Sequence, residues 1–293
     1  MDIFYDKHLN MECVVLEKGK LRIKIIPELG FKIASIAYDE AEMLFQPSEG
    51  RYCKVPYGSD FESSDTSGMD EMIPTIDKCV VGDYELKDHG DVWSVPWEAE
   101  VLNGSIEGCV KLKSLPLEFR KTVSILDDDR IEMEYCVKNL SDKTVPFLWA
   151  LHGLNVIGKG TMIQLPEGMK KIFDVNRKMY EDVDDGIIEI DGLKDGGAYK
   201  YYVCSQHEEC SCSLIYHDKD IRYSIEYSGS VNPYLGIWIT KGGFKGEYNC
   251  ALEPSNGFYD SLDRAIKSDK YGSVGPFDEK RWNIIIRLGK IRD

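Results

Sequence analysis

The stretch Ala251-Leu252-Glu253-Pro254 puts a carboxylate at the end of an apolar segment. Two strand-like runs, Leu235 to Thr240 and Tyr248 to Leu252, lead up to it. Pro254 has no N–H to donate and is expected to stop the ladder there. A Glu at the mouth of an apolar strand is partly desolvated, which raises its pKa and suits it to proton transfer. His152 is a second group of this kind, closing the apolar run Val145 to Leu151 and sharing a face with Leu148 and Ala150. Imidazole has the unperturbed pKa nearest neutrality, so His152 and Glu253 form a candidate acid–base pair. The plainer alternative for His152 is a satisfied core histidine.

Two further spots are suited to a polar ligand. In the first, His89 lies between Asp88 and Gly90-Asp91 and is followed by Trp93 and Trp97. Aromatic faces stack on the C–H face of a sugar ring and imidazole bonds a hydroxyl, although the same residues also suit a turn His with core tryptophans. In the second, Asp70 and Glu71, within Gly68 to Pro74, are either acceptors for ligand hydroxyls or solvated loop acids. Other signals are weaker. Cys204, His207, Cys210 and Cys212 lack the spacing of a zinc module, and Cys210 and Cys212 alternate with Leu214 as strand core residues do. In the run Asp182 to Gly186 the glycine is misplaced for a calcium loop, and Leu193 stands where the closing Glu belongs. No metal is expected. There is no Gly-rich phosphate loop after a strand and no Gly-x-Ser-x-Gly elbow.

The elements that must position these groups are strands. Leu21, Ile23 and Ile25 alternate with Arg22 and Lys24. The same period appears over Ile131 to Val137 and over Ile221 to Tyr227. Further strands are expected at Trp97 to Leu102, Ile106 to Lys113, Leu117 to Leu126, Tyr199 to Cys204, Cys210 to Tyr216 and Trp282 to Leu288. Turn clusters such as Asn103-Gly104 and Asp127 to Asp129 separate them. Many short, closely spaced strands indicate a sandwich or barrel, with at most a turn or two of helix near Ser261 to Lys267. Gln46 to Val81 and Ile172 to Gly197 read as long polar loops. No repeat or linker divides the 293 residues, so one domain over 1–293 is expected.

The charge balance, 36 Lys+Arg against 51 Asp+Glu, gives a net charge of -15. That field repels phosphate backbones and anionic membrane surfaces, so neither nucleic acid nor membrane is expected as a partner. Met1 to Lys20 lacks the basic and apolar regions of a signal peptide, and no apolar run approaches the roughly 20 residues of a membrane span. Nine unpaired-looking cysteines fit thiols in a reducing compartment, so the expected location is cytoplasmic.

His89-Gly90 with Trp97, then Trp149-Ala150-Leu151-His152, then Leu252-Glu253-Pro254 followed by Asp260-Ser261-Leu262 together resemble the aldose 1-epimerase (galactose mutarotase-like) family. The resemblance spans nearly the whole chain. It implies an all-β fold, a large antiparallel β-supersandwich of the galactose mutarotase-like type, whose concave face binds a monosaccharide substrate. It also implies an isomerase that interconverts α and β anomers without a cofactor. His152 matches the family's general acid, Glu253 its general base and His89 a substrate-holding histidine. The expected sugar-contacting set is His89, Asp70, Glu71, Trp149 and Trp238. Gly50-Arg51-Tyr52 looks like the family's arginine motif but has other neighbours, and the family's substrate-binding Asp has no counterpart, so the sugar stays open. So does the choice between monomer and homodimer. Two alternatives accompany this expectation. One is a non-catalytic sugar-binding module. The other is a phosphosugar epimerase, for which Arg51, Lys241, Lys245 and Arg264 are the basic candidates.

Overall fold

The computed structural model describes residues 1–204 and 207–291. The period-two segments pair into two antiparallel sheets, of twelve and nine strands. Leu117–Ile125 shows the rule most clearly: every second residue is buried, and its register pairs Phe119 with Val137 and Val123 with Met133. Arg130–Asn139, Ile221–Ser228 and Glu279–Gly289 join it in the smaller sheet. In the larger sheet Lys32–Tyr38, Met69–Met72, Ala150–Val156, Tyr248–Ser255, Tyr234–Lys241 and Gly197–Cys204 follow one another in space. One apolar cluster draws on both sheets, with Ile23, Leu151 and Leu252 from the larger and Phe119, Tyr135 and Ile284 from the smaller. The chain is thus all-β, with a single short α-helix at Leu262–Lys267 among the described residues.

Four local expectations change. Pro254 does not end its strand, which runs on to Ser255, with Pro254 paired to Leu235. On its other side the register passes from Leu154 opposite Ala251 to Ala150 opposite Ser255, and the residues between make no ladder pairs. A proline fits a central strand where no N–H is demanded of it, and here that place is the gap facing His152.

The run Val145 to Leu151 is two strands. Val145–Phe147 pairs with Gly272–Val274, whereas Ala150–Val156 enters the large sheet. Between them the Leu148 N–H bonds the Pro74 carbonyl (3.0 Å) and the Trp149 N–H bonds Asn256 Oδ1 (2.7 Å), so the chain switches layers there. His152 therefore lies inside a strand rather than at its end.

The supposed loop Gln46 to Val81 contains the central strand Met69–Met72. All four of its residues are buried, two of them acids, so it shows no alternation. Likewise Ile172 to Gly197 supplies nearly all of the hairpin Lys171–Asp174 with Met179–Asp182.

Candidate functional site

One face of the large sheet carries a cleft of about 390 Å³, within the roughly 300–1,000 Å³ of small-ligand sites. Alternate residues of neighbouring strands form its floor: Met72, His152 and Leu154, then Asn249 and Glu253, then Trp238, then Lys200. The register on either side of the Pro254 gap places His152 across from Glu253. Glu253 in turn faces Gly236, and Lys200 faces Trp238. Loops supply the walls: Asp60, Phe61 and Glu62 with Asp88 and His89 packed against them, and Asp77 and Asp260.

His89 sits in a left-handed backbone conformation (φ 55°), and Gly90 follows at φ 79°. A Cβ on Gly90 would lie 2.0 Å from the Ile73 carbonyl oxygen, so only glycine lets this loop lie against the sheet. The His89 ring stacks on Phe61 (4.4 Å) and meets the His152 ring edge-on at 5.2 Å. Asp88 holds this corner, with Oδ2 3.1 Å from His89 Nδ1 and accepting the Phe61 N–H at 2.7 Å. Although Asp88 is partly buried, these two partners keep its carboxyl below the usual range. Lys245 donates to the Glu62 and Ser64 carbonyls, and Thr66 donates to Glu247, which fastens the Phe61 wall.

The floor is electrostatically unusual. Burial pushes the Glu253 carboxyl above its ordinary value, against the pull of the Lys200 ammonium that donates to its Oε2. Lys200 is itself raised, because Glu253 and Asp260 outweigh its burial. His152 is held well below the usual imidazole value by burial and by the positive fields of His89, Lys200 and Lys32. Its Nδ1 is buried with no hydrogen-bond partner. Asp260 accepts from the Tyr202 hydroxyl, and burial together with Asp260 raises Asp77.

Of the sequence-derived candidates, His152, Glu253, His89 and Trp238 converge on this cleft. Asp70, Glu71 and Trp149 do not line it. Asp70 shares the face of His152 but is bound by Lys32, and burial lifts its carboxyl to about 6. Glu71 points between the sheets, where it accepts from Lys121 Nζ (2.7 Å), Tyr135 (3.1 Å) and Trp149 Nε1 (2.8 Å). Trp149 is fully buried in that same cluster. Glu71, with a dedicated cation and two further donors, is already satisfied and has no bonds left for a sugar, whereas Asp70 keeps a buried Oδ1 without a partner but does not line the cleft. Trp93 and Trp97 are buried as well, each donating its indole N–H to a nearby carbonyl, so the aromatic lining is Phe61, Trp238 and Phe244 instead.

The residues missed from sequence are Lys200, Asp260, Asp77 and Phe61. Lys200 sits between Tyr199 and Tyr201 in the strand Gly197–Cys204, where a lysine ordinarily marks the solvent face. Among the described residues no group of three His, Cys, Asp or Glu side chains could hold a metal ion. The connection between Cys204 and His207 lies outside the described residues.

No protein-family model matches this sequence, and no curated protein matches it. Solved structures do match in three dimensions. A Synechocystis protein superposes with a TM-score of 0.74 at 16% identity over 99% of both chains. A galactose mutarotase related enzyme from Lactobacillus acidophilus gives 0.71 at 17% identity, over 95% of this chain and 97% of that one. A galactose mutarotase-like protein from Clostridium acetobutylicum gives 0.71 at 15% identity over 99% of both. At such identities the likeness speaks for architecture alone, and on that evidence the chain has the galactose mutarotase-like fold.

Proposed function

We propose that the protein is an aldose 1-epimerase-like isomerase that interconverts the α and β anomers of an uncharged monosaccharide. The observation that carries this reading is the placement of His152 across the Pro254 gap from Glu253, with His89 5.2 Å from His152, on the floor of a sugar-sized cleft. Opening a hemiacetal takes one proton from the anomeric hydroxyl and puts one on the ring oxygen, and closure on the other face reverses both. Glu253, a buried carboxylate of raised pKa, is suited to taking the first. The imidazoles of His152 and His89 are suited to bonding the ring oxygen and a neighbouring hydroxyl.

The lining favours a neutral sugar over a phosphorylated one. Asp60, Glu62, Asp77, Asp88, Glu247, Glu253 and Asp260 face only Lys78 and Lys200. None of the other basic candidates lines the cleft: Lys241 bonds the Leu193 carbonyl, Lys245 is tied to the Glu62 and Ser64 carbonyls behind the Phe61 wall, Arg51 pairs with Glu49, and Arg264 lies 3.9 Å from the Asp77 carboxylate at the edge. The test is anomer exchange followed by NMR from pure α-galactose and α-glucose. Acceleration over buffer supports the reading, and absence of acceleration across a panel of neutral aldoses refutes it. A second reading, a non-catalytic sugar-binding module, is favoured by the Lys200 ammonium that occupies Glu253. It predicts saturable sugar binding with the spontaneous exchange rate unchanged.

Two further outcomes are expected. The base works only when ionised, and burial raises its pKa. The rate should therefore climb with pH through a midpoint above the roughly 4.3 of a free Glu, and fall as pH drops below that midpoint. A kcat–pH profile shows this, and a rate flat down to the ordinary Glu value would contradict it. Gly236→Ala should also be damaging, because its Cβ would lie 2.7 Å from Glu253 Oε2. Displacing the base by a fraction of an ångström should lower kcat on the order of 10²-fold, with thermal stability reduced far less.

A further inference from the structure

Two lysines line the cleft. Lys78 is exposed and pairs with Asp60 at 3.2 Å, whereas the side chain of Lys200 is only 14% exposed and lies on the floor, against Glu253. The sheet is built to let that pair form. Gly236 faces Glu253, and a Cβ there would lie 2.7 Å from Glu253 Oε2 and 3.4 Å from Lys200 Nζ. Resting on the mutarotase reading, we infer that Lys200 is a catalytic residue whose ammonium delivers the proton to the ring oxygen while Glu253 removes the proton from the anomeric hydroxyl.

The bookkeeping closes within the pair. Glu253 takes the hydroxyl proton, the C1–O1 bond becomes a carbonyl, and the C1–ring-oxygen bond breaks with its electrons going to the ring oxygen. That oxygen takes a proton from Lys200, leaving a neutral amine beside a neutral carboxylic acid. Because the two side chains are already hydrogen-bonded, the proton passes from Glu253 to Lys200 directly, and the ion pair is restored with the open-chain aldehyde bound. Rotation about C1–C2 presents the other carbonyl face, and the same steps reversed close the ring. No solvent proton is needed.

The His152 imidazole is less suited to the donor role. His152 is almost wholly buried and stands among like charges, so it is neutral near neutral pH and serves as a hydrogen-bonding group. The groups facing Lys200 are Glu253 from across the sheet, Asp260 and Asp77 from the loops, Tyr202 on its own strand (ring centroid 5.5 Å from Nζ), and His152, whose neighbour is His89. The carboxylates keep it protonated.

Anomer exchange is measured for wild type, Glu253→Gln, Lys200→Met and Lys200→Ala, the last with added ethylammonium or a quaternary ammonium of similar size. With the wild type active and Glu253→Gln inactive, Lys200→Met should lose about 10²–10⁴-fold in kcat. Ethylammonium should restore part of the Lys200→Ala rate in proportion to its concentration, and the quaternary cation, having no proton to give, should not. The wild-type rate should also not fall between about pH 6 and 8, where an imidazolium donor would be lost. Lys200→Met within about threefold of wild type would overturn the inference and leave the mutarotase reading standing. Equal rescue by the quaternary cation would do the same, reducing Lys200 to a positive charge that keeps Glu253 ionised. A wild type that accelerates no aldose would remove the mutarotase reading and this inference together.

Discussion

Glu253→Gln is expected to lower the anomer-exchange rate by about 10³-fold while leaving the fold intact, since removing a positioned general base typically costs about 10²–10⁴-fold. Gln keeps the volume and most of the shape of the side chain but has no basic oxygen. The Lys200 ammonium would lose its strongest partner yet keep Asp260, which already contributes to holding it charged. The substitution also removes the burial strain on a carboxylate whose pKa is raised, so stability should change little. NMR exchange spectroscopy on a neutral aldose gives the rate, and a thermal melt with near-UV circular dichroism reports the fold. An unchanged rate in a folded Gln variant would dismiss Glu253 as the base.

Lys121→Met should destabilise the fold by about 3–5 kcal/mol, because it leaves a buried carboxylate without its cation. Lys121 is fully buried and bridges the sheets, with its Nζ 2.7 Å from Glu71 Oε1. Without it the Glu71 carboxylate, 1% exposed, would keep only Tyr135 and Trp149 as donors. The double variant Glu71→Gln/Lys121→Met should recover most of the loss, because it removes both charges while the amide oxygen still accepts from Trp149. Urea unfolding of the two singles and the double measures this coupling. Activity per folded molecule should be unchanged in the double variant, because neither residue reaches the cleft. A loss of sugar affinity there would instead support a direct role for Glu71.

The same residues show where sequence patterns carry information and where they do not. Period-two alternation marked strands such as Leu117–Ile125 and Ile221–Ser228 because one face of each is apolar. It missed Met69–Met72 because that strand is buried on both faces, with Asp70 and Glu71 as its middle residues. In one dimension two adjacent acids look like a solvated loop. In three, each has its own lysine, Lys32 for Asp70 and Lys121 for Glu71, distant in sequence from the acid it pairs with. Pro254 misled in the opposite sense: it lacks an N–H, but whether that ends a strand depends on whether a neighbour requires one.

By itself the sequence determined the all-β class, the positions of most strands, and the facts that Glu253 and His152 end or enter apolar runs and that His89 precedes a glycine. All of these follow from local spacing and side-chain chemistry. Only the tertiary structure decided which groups share the cleft. The register across the Pro254 gap sets His152 against Glu253, and the bare backbone of Gly236 admits Lys200 beside that carboxylate. The same packing withdrew Glu71 and Trp149 into the core between the sheets. Partner choice for a buried charge depends on strand order and register, which are long-range properties, and so a lysine that reads as a surface residue becomes the cation on the floor of the site.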